Sequence, residues 1–320
     1  MTEPTTLQEA ILYFANPDRC LAYLIARRWP DGVVVCPTCG SKSVHFIPTR
    51  RLWECNTKHP RKQFSIKIGT IFEDSPLGLD KWLAAAWMIT SDKNGISSYE
   101  LAKDIGVTQK TAWFMLHRLR KAMQTGSFLK KFSGEVEVDE TFIGGKARNM
   151  HISKRAQRIH GTGGNDKVAV MGFLERGGEV RTTIVENRKK ALLQDEVRKN
   201  VSAGAALYSD ALASYDGLDG EFFHQVVDHA VEYVRGNVHT NGLENFWSLV
   251  KRALKGTYVS VEPFHLFRYL DEQAFRYNHR KDLDDAGRTS LALSQIVGKR
   301  LMYKELIGKA ALEKDRQLPN

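Results

Sequence analysis

Apolar residues return along this chain in three successive rhythms. Over residues 7 to 28, and again from SPLGLD at 75–80 to Met123, they recur every three or four positions, the spacing of one helix face. From Gly134 to about Asp210 the interval shortens towards two, as in strands: EVEVDETFIGG, then KVAVMGFLERGGEVRTTIV, then AALYSD. Helical spacing resumes after Asn241 and continues, increasingly charged, into a tail beyond about residue 300 whose last residues are expected to fray.

Local signals divide these stretches into elements. Asp18 is placed to cap a helix over RCLAYLIARR, whose Leu21, Leu24 and Ile25 share a face. WPDG at 29–32 predicts a turn, and cysteine-bearing strands are expected from there to about residue 75. Ser97 or Ser98 can cap YELAKDIG, with Glu100 completing a capping box if the cap is Ser97. Thr108 can cap QKTAWFMLHRLRKAM, and QTGS at 124–127 breaks the pattern. Gly177-Gly178 between two strand-like runs predicts a hairpin.

One helix stands out. In HTNGLENFWSLVKRALKGTY, entered from a His-Thr-Asn-Gly turn, Leu243, Trp247, Val250 and Leu254 form an apolar face, while the adjoining face carries Glu244, Ser248, Lys251 and Lys255. A lone carboxylate at the head of a basic stripe is either an ordinary solvated face or the edge of a site.

Composition narrows the choice. With 320 residues the chain can form two or three small domains, and 42% hydrophobic content implies a folded protein. The 47 basic side chains against 37 acidic ones give +10, which favours a polyanionic partner, most often nucleic acid. No apolar run approaches the roughly 20 residues that cross a bilayer, and the N-terminus lacks the basic start of a secretory signal. A cytoplasmic protein with no membrane partner is expected.

Four cysteines do not make a disulfide scaffold, and three of them cluster. Cys36 and Cys39 are followed by Cys55 and then His59, two close pairs separated by a loop, which is the spacing of a zinc ribbon holding one structural Zn²⁺ tetrahedrally. His45 and Cys20 are poorer candidates for the fourth ligand. Downstream, the helices from residue 76 to about 126 suggest a helix-turn-helix. Ala112, Met115, Leu116, Leu119 and Met123 form the inner face of its last helix. This leaves Gln109, Lys110, Thr111, His117, Arg118 and Lys121 for a groove or for phosphates.

The acids are arranged for metal chemistry. EVEVDETFIGG alternates acid and valine as far as Asp139-Glu140, before Gly144-Gly145, AALYSD ends at Asp210, and Glu244 follows on the helix described above. Three carboxylates from two strands and a helix can gather round two divalent cations roughly 3.5 to 4 Å apart. Hard oxygen ligands suit Mg²⁺ or Mn²⁺. Alternation alone does not choose Asp139 over Glu137, on the same strand face, or Glu140, on the opposite one. Lys251 lies seven residues, two helical turns, beyond Glu244 and so on its face, where it can hold a phosphate. Arg252 and Lys255 continue the basic surface. Between the first two strands, Lys154, Arg155 and Arg158 belong to a run of bases without acids, which suggests a DNA clamp.

VDETFIGG, LYSDALASY, HTNGLENFWSLVKRALKGTY and the downstream YLDEQAFRYNHR resemble, in order, the motifs of bacterial insertion-sequence transposases with a DDE core. The branch in question carries a zinc ribbon and a short helical DNA-binding unit ahead of that core. The resemblance runs from about residue 15 to 295 and implies an α/β, RNase H-like mixed sheet with flanking helices. It places the triad at Asp139, Asp210 and Glu244, with Lys251 as the associated base. Some relatives carry asparagine for the glutamate, but neither Asn241 nor Asn245 has a lysine seven positions on. The implied order is a helical segment at 1–30, the zinc ribbon at 31–75, the helix-turn-helix unit at 76–126, the catalytic domain at 133–300 and a charged helical tail at 301–320. The implied partners are an element's terminal repeats, target DNA and a second copy of the chain. A DNA-binding regulator with a decayed core, and a nuclease that cuts without joining, are the competing expectations.

Overall fold

A computed structural model of the chain describes residues 2–124, 130–144, 151–153, 167–210, 212–227 and 239–308. These fall into two compact units, one built from residues up to 124 together with those from 281 onward, the other from 125–280. The last described segment completes the N-terminal unit and is not part of the sheet-bearing one.

In the N-terminal unit, α1 (Leu7–Phe14) and α2 (Pro17–Arg28) precede a three-stranded antiparallel sheet of β1 (Val44–Ile47), β2 (Leu52–Cys55) and β3 (Gln63–Phe64). Asn16, not Asp18, caps α2. Its side chain accepts from the Asp18 and Arg19 amides, and Pro17 at the first helical position needs no partner. The turn at WPDG forms as expected, with Gly32 at positive φ. Trp53 stacks on Phe64 and meets Trp29 edge-on, giving the small sheet an aromatic core.

Three helices follow, α3 (Leu79–Ser91), α4 (Ser98–Ile105) and α5 (Gln109–Ala122). Ser97 and Glu100 form the reciprocal capping box, Gly106 ends α4 in the left-handed region, and Thr108 caps α5 through the Thr111 amide. Much later in the chain, α9 (Asp285–Ser294) packs on α3. Thr289 and Thr90 share a buried hydroxyl hydrogen bond of 2.7 Å, and Arg288 Nε donates to the Thr90 carbonyl. A short helix, α10 (Tyr303–Leu306), completes the unit.

The second unit is organised round a five-stranded mixed sheet. Its strands are β4 (Glu135–Ile143), β5 (Val168–Glu175), β6 (Val180–Val185), β7 (Ala206–Asp210) and β8 (Phe223–Val227), in the spatial order β6-β5-β4-β7-β8. The first three pair antiparallel through the hairpin at Gly177 and through β4–β5, while β4, β7 and β8 run parallel. This is the RNase H-like α/β sheet that the motifs implied.

Helices cover both faces, which explains the nearly continuous apolar run of β5. Val136, Val138, Met171 and Phe173 pack beneath α6 (Lys190–Asn200) through Leu193 and Val197. On the other face Val170 and Leu174 meet α7 (Asn241–Ala253) and α8 (Leu266–Asn278) through Leu243, Trp247, Leu270 and Tyr277. Asn241 and Gly242, expected in a turn, are the first residues of α7.

Gly172 lets α7 approach β5. A Cβ at this position would stand 2.5 Å from the Trp247 ring and 3.0 Å from Leu243. Gly172→Ala is therefore expected to lower stability by about 1–3 kcal/mol, the usual cost of overpacking against a rigid neighbour. Denaturant unfolding would measure it; a variant as stable as the parent would mean that the ring yields freely.

Candidate functional site

The three acids come from three elements that the sheet brings to one end. Asp139 lies on β4 directly opposite Gly172 of β5, so its side chain shares the face covered by α7. Asp210 ends β7, and its Oδ1 accepts the Leu212 amide at 3.2 Å, closing the turn that follows. Glu244 occupies the first turn of α7. A cavity of about 510 Å³ is lined by Asp139, Glu140 and Thr141 from β4 and by Glu244, Trp247, Ser248 and Lys251 from α7, with Arg252 and Lys255 beyond. The stripe read from the helix is thus one wall of this cavity.

Electrostatics shows how crowded the acids are. Burial, then the charge of Asp210 and, less strongly, that of Glu244, push the Asp139 carboxyl up to about 6, against opposition from the Glu140 amide and the Trp247 indole N–H. Glu140 reaches about 8 through burial and the charges of Asp210 and Asp139, with Arg188 pulling the other way. Asp210 does not line the cavity, yet its field reaches both neighbours. Among the described residues the three acids do not close to within 4.8 Å of one another. Ligands on opposite members of a two-ion pair need not, since they can stand up to about 8 Å apart. Oxygen-only donors whose mutual repulsion a cation would relieve fit Mg²⁺ or Mn²⁺.

Lys255 lies where α7 widens into a single π turn, Leu254–Tyr258. Tyr258 closes that turn onto α8 by donating to Glu272, which also accepts from Arg276 and is fully buried. The basic end of the cavity wall is therefore anchored to the body of the unit.

A second constellation invites comparison. Ser209 Oγ lies 2.8 Å from His224 Nε2, and His224 Nδ1 is 3.4 Å from Asp219. The order is that of a nucleophilic triad, but Ser209 is fully buried and can meet no substrate. It ties β7 to β8 just before Asp210.

In the N-terminal unit Cys36, Cys39, Cys55 and His59 bring one ligand atom each to within 4.8 Å of all the others. Cys36 Sγ to His59 Nε2 is 3.5 Å and Cys39 Sγ to Cys55 Sγ is 3.6 Å. Edges near ~3.7 Å are what tetrahedral Zn–S bonds produce. Burial pushes the Cys55 thiol up, but hydrogen bonds from His59, Thr57 and Cys39 outweigh it and bring it down to about 6. The donors fit a structural Zn²⁺, and His59 is the fourth member of the set. Cys20 lies elsewhere, its thiol donating to the Phe14 carbonyl.

The helix-turn-helix surface is smaller than the periodicity suggested. Arg118 is buried, its guanidinium donating to the carbonyls of Ile71, Glu73 and Leu301. His117 is fully buried with its ring edge-on to Trp113. Carbonyls from residues 71, 73 and 301 close over Arg118, and both side chains are withdrawn from the surface. Lys121 donates to the Arg300 carbonyl. The N-terminal turn stays accessible. Lys110 is exposed above the Tyr303 ring, Gln109 donates to Ser98, and Thr111 pairs with Thr108. Lys154, Arg155 and Arg158 lie outside the described residues. The sequence left Glu140 as an alternative to Asp139 and put Trp247 on the apolar face of its helix, and both line the cavity.

Comparison with known proteins gives the same picture. Residues 131–278 match the ISXO2-like transposase domain of the IS1595 group, and residues 15–57 match a transposase zinc-ribbon domain. His59 lies just beyond the second match, and its spacing and its proximity to the three cysteines group it with them. The chain is 31% identical over 258 residues to an uncharacterized protein in the transposable element ISH50 of Halobacterium salinarum, covering 75% of this chain and 84% of that protein. It is also 32% identical over 102 residues to an uncharacterized transposase-like protein of Haemophilus influenzae, covering 32% of this chain and 82% of that protein.

Proposed function

Since the chain belongs to the ISXO2-like transposases of the IS1595 group, we propose that it binds the ends of an insertion element and catalyses metal-dependent strand cleavage and strand transfer. The observation that carries this reading is the cavity where β4 and α7 set three carboxylates, Asp139, Glu140 and Glu244, beside a basic wall, with the charge of Asp210 reaching in from β7.

Asp139, Asp210 and Glu244 would hold Mg²⁺ or Mn²⁺. Divalent ions there would activate a water or a DNA 3′-hydroxyl for in-line attack and stabilise the departing oxygen. Lys251, two turns beyond Glu244, holds a phosphate of the reacting strand, and Arg252 and Lys255 follow the backbone away from it. Buried Trp247 excludes water from one side of Asp139. No protein side chain becomes covalently attached to DNA.

The zinc ribbon and the accessible first turn of α5 supply the DNA contacts outside the catalytic unit. Lys110→Ala is expected to weaken binding on all sequences and to reduce the slope of log affinity against log salt by about 1. Arg118→Ala is expected to lower thermal stability instead, because it strips three buried carbonyls of their donor. Binding isotherms at several salt concentrations, with melting curves, separate the two. An Arg118→Ala variant with normal stability and a reduced salt slope would restore Arg118 to the DNA surface.

The deciding experiment incubates the protein and Mg²⁺ with DNA carrying the element's ends, alongside precut ends and a target plasmid. Cleavage and joining together support the proposal. Cleavage without joining makes the protein a nuclease, and binding without either makes it a regulator. Joining requires two ends, so we expect at least two protein copies per paired-end complex. Sedimentation showing one copy would remove that expectation.

A further inference from the structure

Glu137 sits two residues before Asp139 on the same face of β4, yet it does not line the cavity. Only 1% of it is exposed, and both its oxygens are engaged. Oε1 accepts from Arg176 Nε at 3.1 Å and Oε2 accepts from the Leu243 amide at 3.0 Å. That amide is one of the donors that a helix start leaves without an intrahelical partner. Thr240, at the N-cap position of α7, provides no side-chain cap, and the first intrahelical bond begins only at Glu244.

We propose that Glu137 is a positioning residue, capping α7 from the neighbouring strand and so fixing where Glu244 stands relative to Asp139. The inference rests on the transposase reading for its purpose but not for its geometry. One peptide unit separates the capped Leu243 amide from Glu244, and two residues separate Glu137 from Asp139. The distance between the two metal-site acids is therefore set through a short, buried link.

The clamp has a second arm. Arg176 also donates to the His239 carbonyl at 2.9 Å, holding the chain just ahead of the helix, and its guanidinium lies over the Tyr208 ring on β7. His239 Nδ1 is 3.4 Å from Glu137. Gly242 makes room for the carboxylate, since a Cβ there would stand 2.7 Å from Glu137 Oε2 and 2.3 Å from Leu174. A buried carboxylate committed in this way is unavailable to a metal ion, which separates its role from that of Asp139.

The test compares the full-length chain with Glu137→Ala and Glu137→Gln, without any reaction. Mn²⁺ uptake is read by electron paramagnetic resonance, and amide exchange over residues 241–245 by mass spectrometry. Glu137→Ala is expected to weaken Mn²⁺ binding about 10- to 100-fold, as loss of partners outside the ligand set does. Exchange at the helix start should become about 2- to 30-fold faster, as loss of a cap implies. DNA affinity should stay unchanged. Glu137→Gln keeps an oxygen for the Leu243 N–H and should recover the slow exchange and most of the affinity. If Glu137→Ala does not fold, Arg176→Lys replaces it, with smaller changes in the same direction.

Normal Mn²⁺ affinity in a folded Glu137→Ala, or unaltered exchange at 241–245, overturns the proposal. A parent protein that takes up no Mn²⁺ would instead remove the metal-site reading, and the exchange data would still decide the cap.

Discussion

Asp210→Asn should give a protein that folds, melts and binds element ends like its parent but neither cuts nor joins them. Asparagine keeps an oxygen for the Leu212 amide, so the turn after β7 retains its hydrogen bond. What disappears is the negative charge whose influence reaches both Asp139 and Glu140. Partners merely adjacent to a metal ligand are worth about 10- to 100-fold when removed, so loss of a ligand's charge should exceed that range. Gel assays for nicking and strand transfer, run beside end-binding titrations, provide the measurement. Strand transfer at the parental rate would exclude Asp210 from the reaction.

Removal of zinc is the second large effect. The small sheet of β1, β2 and β3 has few buried residues beyond its aromatic cluster, so the ribbon depends on its metal. Structural zinc sites contribute about 10–16 kcal/mol of apparent binding energy at neutral pH, most of it folding energy. The chain should carry one zinc ion. A strong chelator should open residues 36 to 64 to proteolysis while the sheet-bearing unit stays protected. Cys39→Ser should mimic the chelator, whereas Cys20→Ser, outside the cluster, should retain the ion. Equal protection with and without chelator would mean that the ribbon stands without metal.

Legibility in the sequence followed the range of the forces involved. The Ser97–Glu100 box, the Thr108 cap and the Gly177 hairpin depend on neighbours three or four residues away, and their signals are written locally. Asn16 displaced Asp18 as a cap by a shift of two positions that Pro17, suited to the first helical position, could have indicated. The set of Cys36, Cys39, Cys55 and His59 was legible because a tetrahedral ion demands close pairs, and the spacing that ranked His59 above His45 agrees with their proximity. The carboxylates were reached through the family motifs, while alternation left Glu137, Asp139 and Glu140 open; Asp210 does end its strand, but Asp139 lies in the middle of β4.

The structure parts Glu137, which meets a helix start, from Asp139 and Glu140, which line the cavity from opposite faces of the strand. Such neighbours lie about a hundred residues away, as Leu243 does from Glu137. Arg118 is withdrawn from the surface by neighbours of the same kind. A helical wheel shows one apolar face but not that carbonyls from residues 71, 73 and 301 close over a second.

The order of synthesis gives the divided N-terminal unit a further meaning. Helix α3 is made early, but the Thr289 hydroxyl and the Arg288 guanidinium that seal it are translated only after the whole RNase H-like sheet. A nascent chain halted before residue 281 holds Asp139, Asp210 and Glu244 but still lacks the helix that packs on α3. The N-terminal unit is thus the first to begin and the last to finish.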